Sequence, residues 1–390
     1  MPKTVTMIHS NYVEVDGEII HLDRKFLTGM RKYASTIQAN IVTINPINAT
    51  GIPIMDKVSI HRNDLGFNLI ALDETTIQNE GIKILSNQIS NSSLVYDTNC
   101  NAHNICNKLN IPFIMVLECD LKTQIYKSTS QVNNKLRKLS RTLKTTARYL
   151  FTDCTAMRSA IALHCNGYPA YDESRFFNDD RLMYLDSRMS PEMLIPVENL
   201  TQRLDSRNGR KLRLLYSGRY ESIKGTLDVV SIALQCIQLG LNIELNCYGS
   251  GSLKDEMRSL AGRAPAGSIN IFDSIPYPEL VRKSYESDLF ICCHIQSDPS
   301  CTYLESFGAG LPIVGYGNRM WKRLCIASQA GAYSPIGDQQ HVVRTIRELI
   351  RDAQNINDLS NRAREFALAH TFENEFKLRT DDLNRRLAKL

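Results

Sequence analysis

The feature that most constrains the fold is the alternation of short apolar runs with amphipathic stretches of helix length. Clear examples are Leu212–Tyr216, Ile243–Tyr248 and Leu289–Cys293, each followed by a helical stretch or a turn leading into one. Apolar runs of this length and composition are typical of strands buried in parallel sheets. Because strands that alternate with helices form parallel sheets with helices on both faces, the sequence predicts an α/β protein.

The pattern extends over both halves of the chain. Further strands are predicted at Val5–Ile8, Ile41–Ile44, Val58–His61, Leu94–Tyr96, Phe113–Leu117, Tyr149–Thr152, Ile269–Phe272 and Ile313–Gly315. Helices of the first half are predicted at Asp23–Tyr33, Ala102–Leu109, Val132–Thr146 and Thr155–His164. Residues 341–390 are predicted to be helical almost throughout, because Arg and Glu recur there at i,i+4 spacing beside modest apolar stripes.

The length of 390 residues predicts two or three domains at about 150 residues each. The segment Asn178–Arg210 has four Asp, two Pro and an Asn-Gly pair but no clean periodicity, and it is predicted to connect two domains. The predicted domains are 1–195 and 196–370, both doubly wound α/β units. A helix at 371–390 is expected to pack back on the first.

Composition excludes several classes of protein. A net charge of +5 is too small to predict nucleic-acid binding, and no run of about 18 apolar residues predicts a membrane span. The N-terminal apolar stretch is broken by His9 and Ser10, so no secretion signal is predicted and a cytoplasmic location is expected. The eleven cysteines are an odd number without a Cys-x2-Cys pair, and they are expected to be reduced thiols. The run Cys100-x2-His103-x2-Cys106 leaves a zinc site as a weaker alternative.

Two glycine-containing segments follow predicted strands of the second half. The first, Ser217–Gly225, places the cations Arg219 and Lys224 around a turn at Gly218, which suits a diphosphate. The alternative is that both cations are merely solvated. The second is Gly249-Ser250-Gly251, a strand-to-helix turn that by itself is weak evidence of a ligand site.

The third segment is the richest in candidate ligand-binding groups. It runs from His294 to Val314, where polar residues follow a buried strand and Pro299-Ser300 is predicted to begin a helix. Free backbone N–H groups at a helix start bind phosphate oxygens. Glu305 lies one turn further among small and apolar residues, where it could accept hydrogen bonds from a pair of ribose hydroxyls. The alternative is that Glu305 is only a solvated glutamate on a helix and binds no ligand.

Taken together, these segments resemble the C-terminal domain of retaining GT-B glycosyltransferases of the family-4-like type (glycosyl transferases group 1). The resemblance covers about Leu212 to Val314. It rests on Gly218-Arg219, Lys224-Gly225, Gly249-x-Gly251, Glu305 and Gly310-Leu311-Pro312-Ile313. It implies two Rossmann-like domains facing across a cleft, with 1–195 binding the acceptor and 196–370 the nucleotide sugar.

The resemblance also implies the roles of individual residues. Arg219 and Lys224 would hold the donor diphosphate and act in catalysis, and Glu305 would bind the ribose. The other donor-binding positions that it implies are Gly218, Gly249, Gly251, Asp273, Ser274, Ile275, Ser300, Cys301 and Thr302. One departure concerns the donor sugar, because Ser297 stands where the family has the first Glu of its Glu-x7-Glu motif. That role is either vacant or passes to Asp298.

The N-terminal half resembles a branch of the bacterial polysaccharide and lipopolysaccharide glycosyltransferases. The loop Asn11–Gly17, with Asp16 and Gly17, stands where relatives carry a glycine-containing loop after the first strand. Many relatives place a His after the strand that begins Ile-Pro, and here Ile111-Pro112 leads to Glu118. Glu118 is therefore the first N-domain candidate for contacting donor sugar or acceptor, and His103 is the second. A single histidine more often lies near a core, with its hydrogen bonds made to the protein, than in a ligand site.

The segment Lys135–Arg148 contains six cations and no acid, with leucines at helical spacing. Either the leucines pack on the sheet while the cations face water, or the helix offers a cationic face to anionic lipid headgroups. The second alternative would suit a lipid-linked acceptor and a peripheral membrane location.

The sequence thus predicts an enzyme that transfers a sugar from a nucleotide sugar to a glycan or lipid-linked acceptor, in surface polysaccharide or glycoconjugate synthesis. The resemblance implies retention of anomeric configuration. No cofactor or metal is expected, because the chain contains no Asp-x-Asp motif. Two alternatives stay open: a non-catalytic subunit that binds nucleotide sugar, and another activity on this fold, such as a sugar-nucleotide epimerase or a phosphorylase.

Overall fold

The computed structural model describes residues 3–45, 56–73, 82–98, 102–130, 132–207, 209–297 and 299–390. The chain divides into two compact units. The first is Met1–Tyr184 together with Glu375–Leu390, and the second is Leu185–Asn374. The predicted limit between residues 195 and 196 therefore lies inside the second unit, and most of the predicted C-terminal helix belongs to the first.

The first unit contains a seven-stranded sheet in which every pair of neighbouring strands is parallel. Its strands are β1 (Thr4–His9), β4 (Gln38–Asn45), β6 (Asn68–Asp73), β7 (Leu94–Asp97), β8 (Phe113–Leu117), β9 (Ala162–Asn166) and β10 (Arg181–Tyr184). Their spatial order is β10-β9-β8-β7-β1-β4-β6. The central strands β1, β7 and β8 are largely buried, as expected for parallel strands covered on both faces.

A second, smaller sheet in this unit was not predicted. It is antiparallel and consists of β2 (Glu14–Asp16), β3 (Ile19–Asp23) and β5 (Lys57–His61). The strand predicted at Val58–His61 is confirmed, but it pairs with β3 and not within the parallel sheet. Gly17, with a φ of 56°, forms the turn between β2 and β3.

Helices connect the parallel strands of the first unit. They are α1 (Arg24–Ala34), α2 (Ile82–Ser90), α3 (His103–Leu109), α4 (Leu121–Thr129), α5 (Lys135–Arg148), α6 (Cys154–Ser159) and α7 (Gly167–Ser174). Three of them begin at an Asp or Asn whose side chain accepts a hydrogen bond from the first turn, as N-caps do: Asp23, Asp120 and Asn134.

Two predicted elements of this unit are wrong. Tyr149–Thr152 is not a strand, because Tyr149–Asp153 forms a π-helical turn that joins α5 to α6. The predicted helix Thr155–His164 ends at Ser159, and its last residues belong to the buried strand β9. Short apolar runs fit a strand and a buried helical turn equally well, and only their tertiary neighbours separate the two.

The second unit contains a six-stranded parallel sheet. Its strands are β11 (Leu212–Ser217), β12 (Ile243–Tyr248), β13 (Ile269–Phe272), β14 (Leu289–Cys292), β15 (Ile313–Tyr316) and β16 (Gly331–Ser334). Their spatial order is β13-β12-β11-β14-β15-β16, so the direction of winding reverses between β11 and β14. Open α/β sheets bind ligands beyond the carboxyl ends of the strands at such a reversal.

Helices alternate with these strands, and three further helices follow the last strand to the end of the chain. They are α8 (Val197–Asp205), α9 (Thr226–Gln238), α10 (Lys254–Ala261), α11 (Tyr277–Tyr285), α12 (Thr302–Gly308), α13 (Arg319–Ser328), α14 (Gln339–Arg351), α15 (Ala353–Ala369) and α16 (Phe372–Lys389). The helical prediction for residues 341–390 is confirmed. The segment Asn178–Arg210, predicted as a connection, also contains β10 and α8. Within the described ranges, no helix combines the length and the apolar character that crossing a membrane requires.

The end of α16 packs on the sheet of the first unit. Phe376 lies 5.0 Å from the ring of Tyr33, and Asp382 accepts a hydrogen bond of 2.9 Å from Nε2 of the buried His164. Arg386 binds Asp180 at 2.6 Å. Hydrogen bonds from His164 and two arginines hold the pKa of Asp382 well below its usual range despite its partial burial.

Candidate functional site

The glycine segments that follow β11 and β12 are bonded to each other. The backbone N–H of Gly218 donates to the carbonyl of Tyr248 at 3.1 Å, and that of Tyr220 donates to the carbonyl of Ser250 at 2.8 Å. A Cβ on Gly249 would overlap the carbonyl oxygen of Gly218. The sequence therefore needs glycine here because two backbones approach more closely than a side chain allows.

The turn that carries Lys224 packs against the end of β14. Ile295 donates its backbone N–H to the carbonyl of Ile223 at 3.1 Å. Gly225 has a φ of 60°, and a Cβ there would overlap the carbonyl oxygen of Cys293. These contacts bring two of the predicted segments, Ser217–Gly225 and the one that begins at His294, to the point where the winding reverses.

The two predicted cations differ in their surroundings. Lys224 is buried, with 7% of its surface exposed, whereas Arg219 is exposed. His294 is buried beside this turn. Burial lowers its pKa well below the usual value, and the charges of Lys224 and Arg219 lower the pKa further. The imidazole is therefore neutral at physiological pH, and the positive charge of this edge resides on Arg219 and Lys224.

Two buried side chains here have polar atoms without a hydrogen-bond partner among the described residues. They are His294, through both ring nitrogens, and Gln296, through both amide atoms. Ser297, at the position of the family's first Glu, accepts a hydrogen bond of 3.1 Å from the backbone N–H of Arg319. Asp298, which one of the two alternatives gives this role, lies outside the described residues.

The predicted phosphate-binding residues Ser300, Cys301 and Thr302 lie at the start of α12. This helix begins at Thr302, two residues later than predicted. Ser300 and Thr302 share a hydrogen bond of 3.1 Å between their hydroxyls, and the thiol of Cys301 lies 3.4 Å from a carboxylate oxygen of Asp186. Their proposed contacts to phosphate stay a prediction.

Glu305 has a partner that the sequence did not reveal. Nε of Arg188 donates to Oε1 of Glu305 at 2.5 Å, and the guanidinium lies 4.1 Å from the ring centroid of Tyr277. Burial acts to lower the pKa of Arg188, but the charge of Glu305 and its hydrogen bond raise the pKa overall. Arg188 lies in the irregular segment before α8, where no motif or periodicity singles it out.

The predicted donor-binding residues Asp273, Ser274 and Ile275 follow β13 at the same edge. The hydroxyl of Tyr220 donates to the carbonyl of Phe272 at 2.7 Å, which holds this strand end to the Arg219 turn. Asp273 is exposed and accepts a hydrogen bond from Lys254, which lowers the pKa of its carboxyl. Ser274 is exposed and Ile275 is half-buried.

The candidates of the N-terminal half lie in the first unit. Glu118 follows β8, and its carboxylate accepts hydrogen bonds from the Asn166 amide at 2.8 Å and from the Tyr184 hydroxyl at 3.4 Å. His103 is buried at the start of α3. Asp16 and Gly17 are exposed at the turn of the β2–β3 hairpin.

The basic segment Lys135–Arg148 forms α5, as its spacing predicts, but its leucines do not pack on the sheet. Leu136 is 78% exposed, Leu139 56% and Leu143 61%. In the following π-helical turn, Leu150 is 54% and Phe151 80% exposed. The first of the two sequence alternatives is therefore wrong, because these side chains form an apolar strip on the surface.

No metal-binding group is found in the described part of the chain, where three or more His, Cys, Asp or Glu side chains nowhere converge. Cys100, the first residue of the alternative zinc run, lies outside the described residues. His103 and Cys106 of that run are both buried on α3.

No protein-family model matches this sequence, and no curated protein does. Solved structures do match over nearly the whole chain. Anabaena HepE in complex with UDP is similar with a TM-score of 0.67 and 12% identity, and the alignment covers 100% of both chains. HepE is also similar in its complex with UDP-glucose, with a TM-score of 0.65 and 10% identity over 99% of this chain and 100% of that one.

Two other solved structures show the same similarity. Sucrose-phosphate synthase from Thermosynechococcus elongatus has a TM-score of 0.67 at 13% identity, with 99% of each chain covered. WaaG, a glycosyltransferase involved in lipopolysaccharide biosynthesis, has a TM-score of 0.62 at 15% identity, covering 97% of this chain and 98% of its own. The predicted fold class is thereby confirmed: the chain has the fold of the GT-B glycosyltransferases.

Proposed function

We propose that this protein transfers a sugar from a nucleotide-diphosphate sugar to a glycan or lipid-linked acceptor. The observation that carries the proposal is the meeting of three sequence segments at the reversal between β11 and β14. There, buried Lys224 and exposed Arg219 lie beside a neutral histidine. A fold shared with HepE, solved with UDP and with UDP-glucose, supports a nucleotide sugar as the donor.

The chemistry follows from the charge that develops when the glycosidic bond breaks. Negative charge then accumulates on the departing diphosphate, and fixed cations stabilise it most where water is excluded. Lys224 is buried enough to act in this way, and Arg219 can bind phosphate oxygens bidentately. Glu305 offers its second carboxylate oxygen to the ribose hydroxyls while Arg188 holds the first.

The stereochemistry and the metal requirement of the reaction are also part of the proposal. By the family resemblance, the anomeric configuration is retained and a leaving-phosphate oxygen accepts the proton of the acceptor hydroxyl. No protein base is then required. Two cations at the phosphate edge can take the place of a divalent ion, so the reaction is proposed to run without a metal.

The acceptor is proposed to be lipid-linked, and α5 with its following turn to bind the cytoplasmic surface of an anionic membrane. The five exposed apolar side chains Leu136, Leu139, Leu143, Leu150 and Phe151 would enter the headgroup layer. The six cations of α5 would add about 1 kcal/mol each from anionic lipid.

A nucleotide screen tests the donor site. Purified protein is titrated with UDP, GDP, ADP and CMP in the presence of EDTA. Hydrolysis and transfer are then measured with nucleotide sugars that contain the nucleotide that binds most tightly. We expect one diphosphate to bind clearly best, and NMR to show a product with the donor's anomeric configuration. Binding without any hydrolysis or transfer would favour the non-catalytic subunit, and an interconverted sugar nucleotide would favour the epimerase.

Vesicle sedimentation tests the membrane surface. We expect binding to phosphatidylglycerol vesicles, little binding to phosphatidylcholine vesicles, and loss of binding in the double variant Leu139→Ser/Leu143→Ser. Leu239→Ser is the matched control, because Leu239 is 60% exposed but lies after α9 in the second unit. Sedimentation that does not depend on anionic lipid would contradict the proposal.

A further inference from the structure

The start of α13 lies next to the turn that carries Lys224. Ile295 donates its backbone N–H to the carbonyl of Ile223 at 3.1 Å, and Ser297 accepts a hydrogen bond of 3.1 Å from the backbone N–H of Arg319, the first residue of α13. The two residue steps from Ile295 to Ser297 span at most about 7 Å. A sugar bonded to a diphosphate at Lys224 is therefore close to the first turn of α13.

The first residues of α13 carry positive charge at the end of the helix where negative charge is favourable. Arg319, Lys322 and Arg323 are all exposed there, and the first turn contains no acid. Cations at a helix start cost stability, because the unbonded N–H groups already give that end a partial positive charge. An anionic ligand bound at this end would offset the cost.

An aromatic ring keeps Lys322 at this end of the helix. Nζ of Lys322 lies 5.6 Å from the ring centroid of Tyr333, a residue of β16. The Tyr333 ring in turn packs on the turn between β15 and α13, because a Cβ on Gly317 would lie 2.8 Å from it. The ammonium of Lys322 is therefore held near the turn from which Arg319 begins the helix.

The side chains between the Lys224 turn and α13 are neutral. Ser297 stands where the family has a glutamate, and a glutamate at this position would repel an anionic sugar. His294 and Gln296 are buried, and their ring nitrogens and amide atoms have no hydrogen-bond partner among the described residues. Buried polar atoms without a partner are uncommon in proteins, so a ligand that supplies partners is expected here.

The balance of charge indicates which sugar suits this edge. Arg219 and Lys224 already match the negative charge of a diphosphate, and the three cations of α13 come in addition. A neutral sugar gives these cations no anion to bind, whereas a sugar with a carboxylate does. Arginine binds a carboxylate through two parallel hydrogen bonds, and lysine supplies a compact charge beside it.

We propose that the donor sugar is acidic, a uronic acid or another carboxylated sugar, and that its carboxylate binds Arg319 and Lys322 at the start of α13. The inference rests on the proposed function, because it names the class of sugar in that donor. It makes Arg319 and Lys322 residues that determine sugar specificity, whereas Arg219 and Lys224 bind the diphosphate whatever the sugar.

Matched pairs of donors test this proposal by calorimetric titration of the full chain in the presence of EDTA. One pair is UDP-glucose and UDP-glucuronic acid, the other is UDP-galactose and UDP-galacturonic acid, and UDP alone is the reference. The members of a pair differ only in the carboxylate that replaces the hydroxymethyl group. We expect at least one uronic acid to bind at least about tenfold more tightly than its neutral partner. The preference should shrink at high salt, because ions screen exposed charges.

Two double variants with the same change in net charge separate the local effect from a general one. Arg319→Gln/Lys322→Gln should abolish the preference for the uronic acid and leave the Kd of UDP within about twofold. Arg344→Gln/Arg351→Gln removes two exposed cations of α14 and should keep the preference. Binding of UDP by each variant shows that it is folded.

Two results would overturn the acidic-sugar assignment and leave the donor site intact. The first is binding of UDP together with equal or tighter binding of the neutral member in both pairs. Weaker UDP-glucose binding in Asp298→Asn would then assign the sugar contact to Asp298. The second is a preference for the uronic acid that survives in Arg319→Gln/Lys322→Gln. If UDP itself does not bind, the proposed donor is wrong and the sugar assignment falls with it.

Discussion

The candidate sites of the two units differ in whether backbone or side chains shape them. In the second unit, backbone segments contact each other at Gly218, Gly225 and Gly249, and the candidate side chains Arg219 and Lys224 lie in these turns. In the first unit, a cavity of about 490 Å³ is lined by side chains from four helices, a turn and two strand ends. Close backbone contact requires glycine at fixed positions and so leaves a motif in the sequence. A cavity lined by side chains from many elements leaves no such motif. That is why the sequence predicted most of its candidate residues at the carboxyl edge of the second sheet, the proposed donor edge, and only Glu118 in the cavity.

The largest expected effect tests the donor edge directly. Lys224→Ala removes a buried cation from the departing diphosphate, and we expect kcat to fall about 10³-fold, equivalent to about 4 kcal/mol of transition-state stabilisation. Lys211→Ala is the control, because Lys211 is exposed before β11, and it should change kcat by less than about twofold. Equal kcat values in the two variants would show that Lys224 does not stabilise the departing diphosphate.

The second prediction tests whether the donor edge depends on backbone contact. Gly225→Ala should destabilise the second unit by about 3 kcal/mol, because the Cβ meets the Cys293 carbonyl in addition to adopting a positive φ. Gly267→Ala also has a positive φ, of 73°, but open space around it, so about 1 kcal/mol is expected. Urea unfolding can be followed by the fluorescence of Trp321, the single tryptophan, which is buried in the second unit.

The third prediction concerns the first unit and its response to acid. Burial, with a further contribution from the charge of Arg379, lowers the pKa of His9 from 6.5 to about 4. Between these two pH values the unfolded state binds a proton that the folded state excludes. The contribution of His9 to stability is therefore complete above pH 6.5 and is lost as the pH falls towards 4.

His9→Gln, which does not titrate, should reduce the stability lost between pH 7.5 and 5 by about 2 kcal/mol. Urea unfolding of the first unit at the two pH values, followed through the methyl signal of Met115, measures this difference. An unchanged pH dependence in the variant would show that other groups cause the acid sensitivity.

The smallest predicted effect concerns Arg188, which sequence reasoning did not find. Arg188→Ala leaves the mostly buried carboxylate of Glu305 without its cation, and we expect the Kd of UDP to rise about tenfold. Arg188→Lys should recover part of the affinity, and the exposed Arg263→Ala should leave it unchanged. Tighter UDP binding in Arg188→Ala would mean that Arg188 competes with the ribose and does not position Glu305.

Much of the fold could be predicted because the parallel strands are short, apolar and separated by amphipathic helices. The strands at Ile243–Tyr248 and Ile269–Phe272 match the prediction to the residue. The errors concern runs whose composition fits two environments. Tyr149–Thr152 is apolar enough for a strand, yet its Tyr149 is buried in a helical turn while Phe151 faces solvent. Local sequence does not contain the neighbours that decide between these states.

The residues of the candidate site likewise fall into two groups, those that local sequence predicted and those that only the structure revealed. Arg219, Lys224 and Glu305 were predicted as donor-site residues because they stand at fixed distances from glycines and strand ends. The Arg188–Glu305 pair was not, because its members are 117 positions apart. The cavity of the first unit was not predicted either, apart from Glu118 at its edge.

By itself, the sequence determined two parallel α/β sheets and the glycine turns of the second, because hydrophobic periodicity and close backbone contact act over a few residues. The tertiary structure alone decided that the leucines of α5 face outward, that Arg188 holds Glu305, and that carboxylates and hydrogen-bond donors from distant parts of the first unit line one cavity. Such relations join residues far apart in the chain, and burial and electrostatic energy depend on distance in space rather than on distance along the sequence.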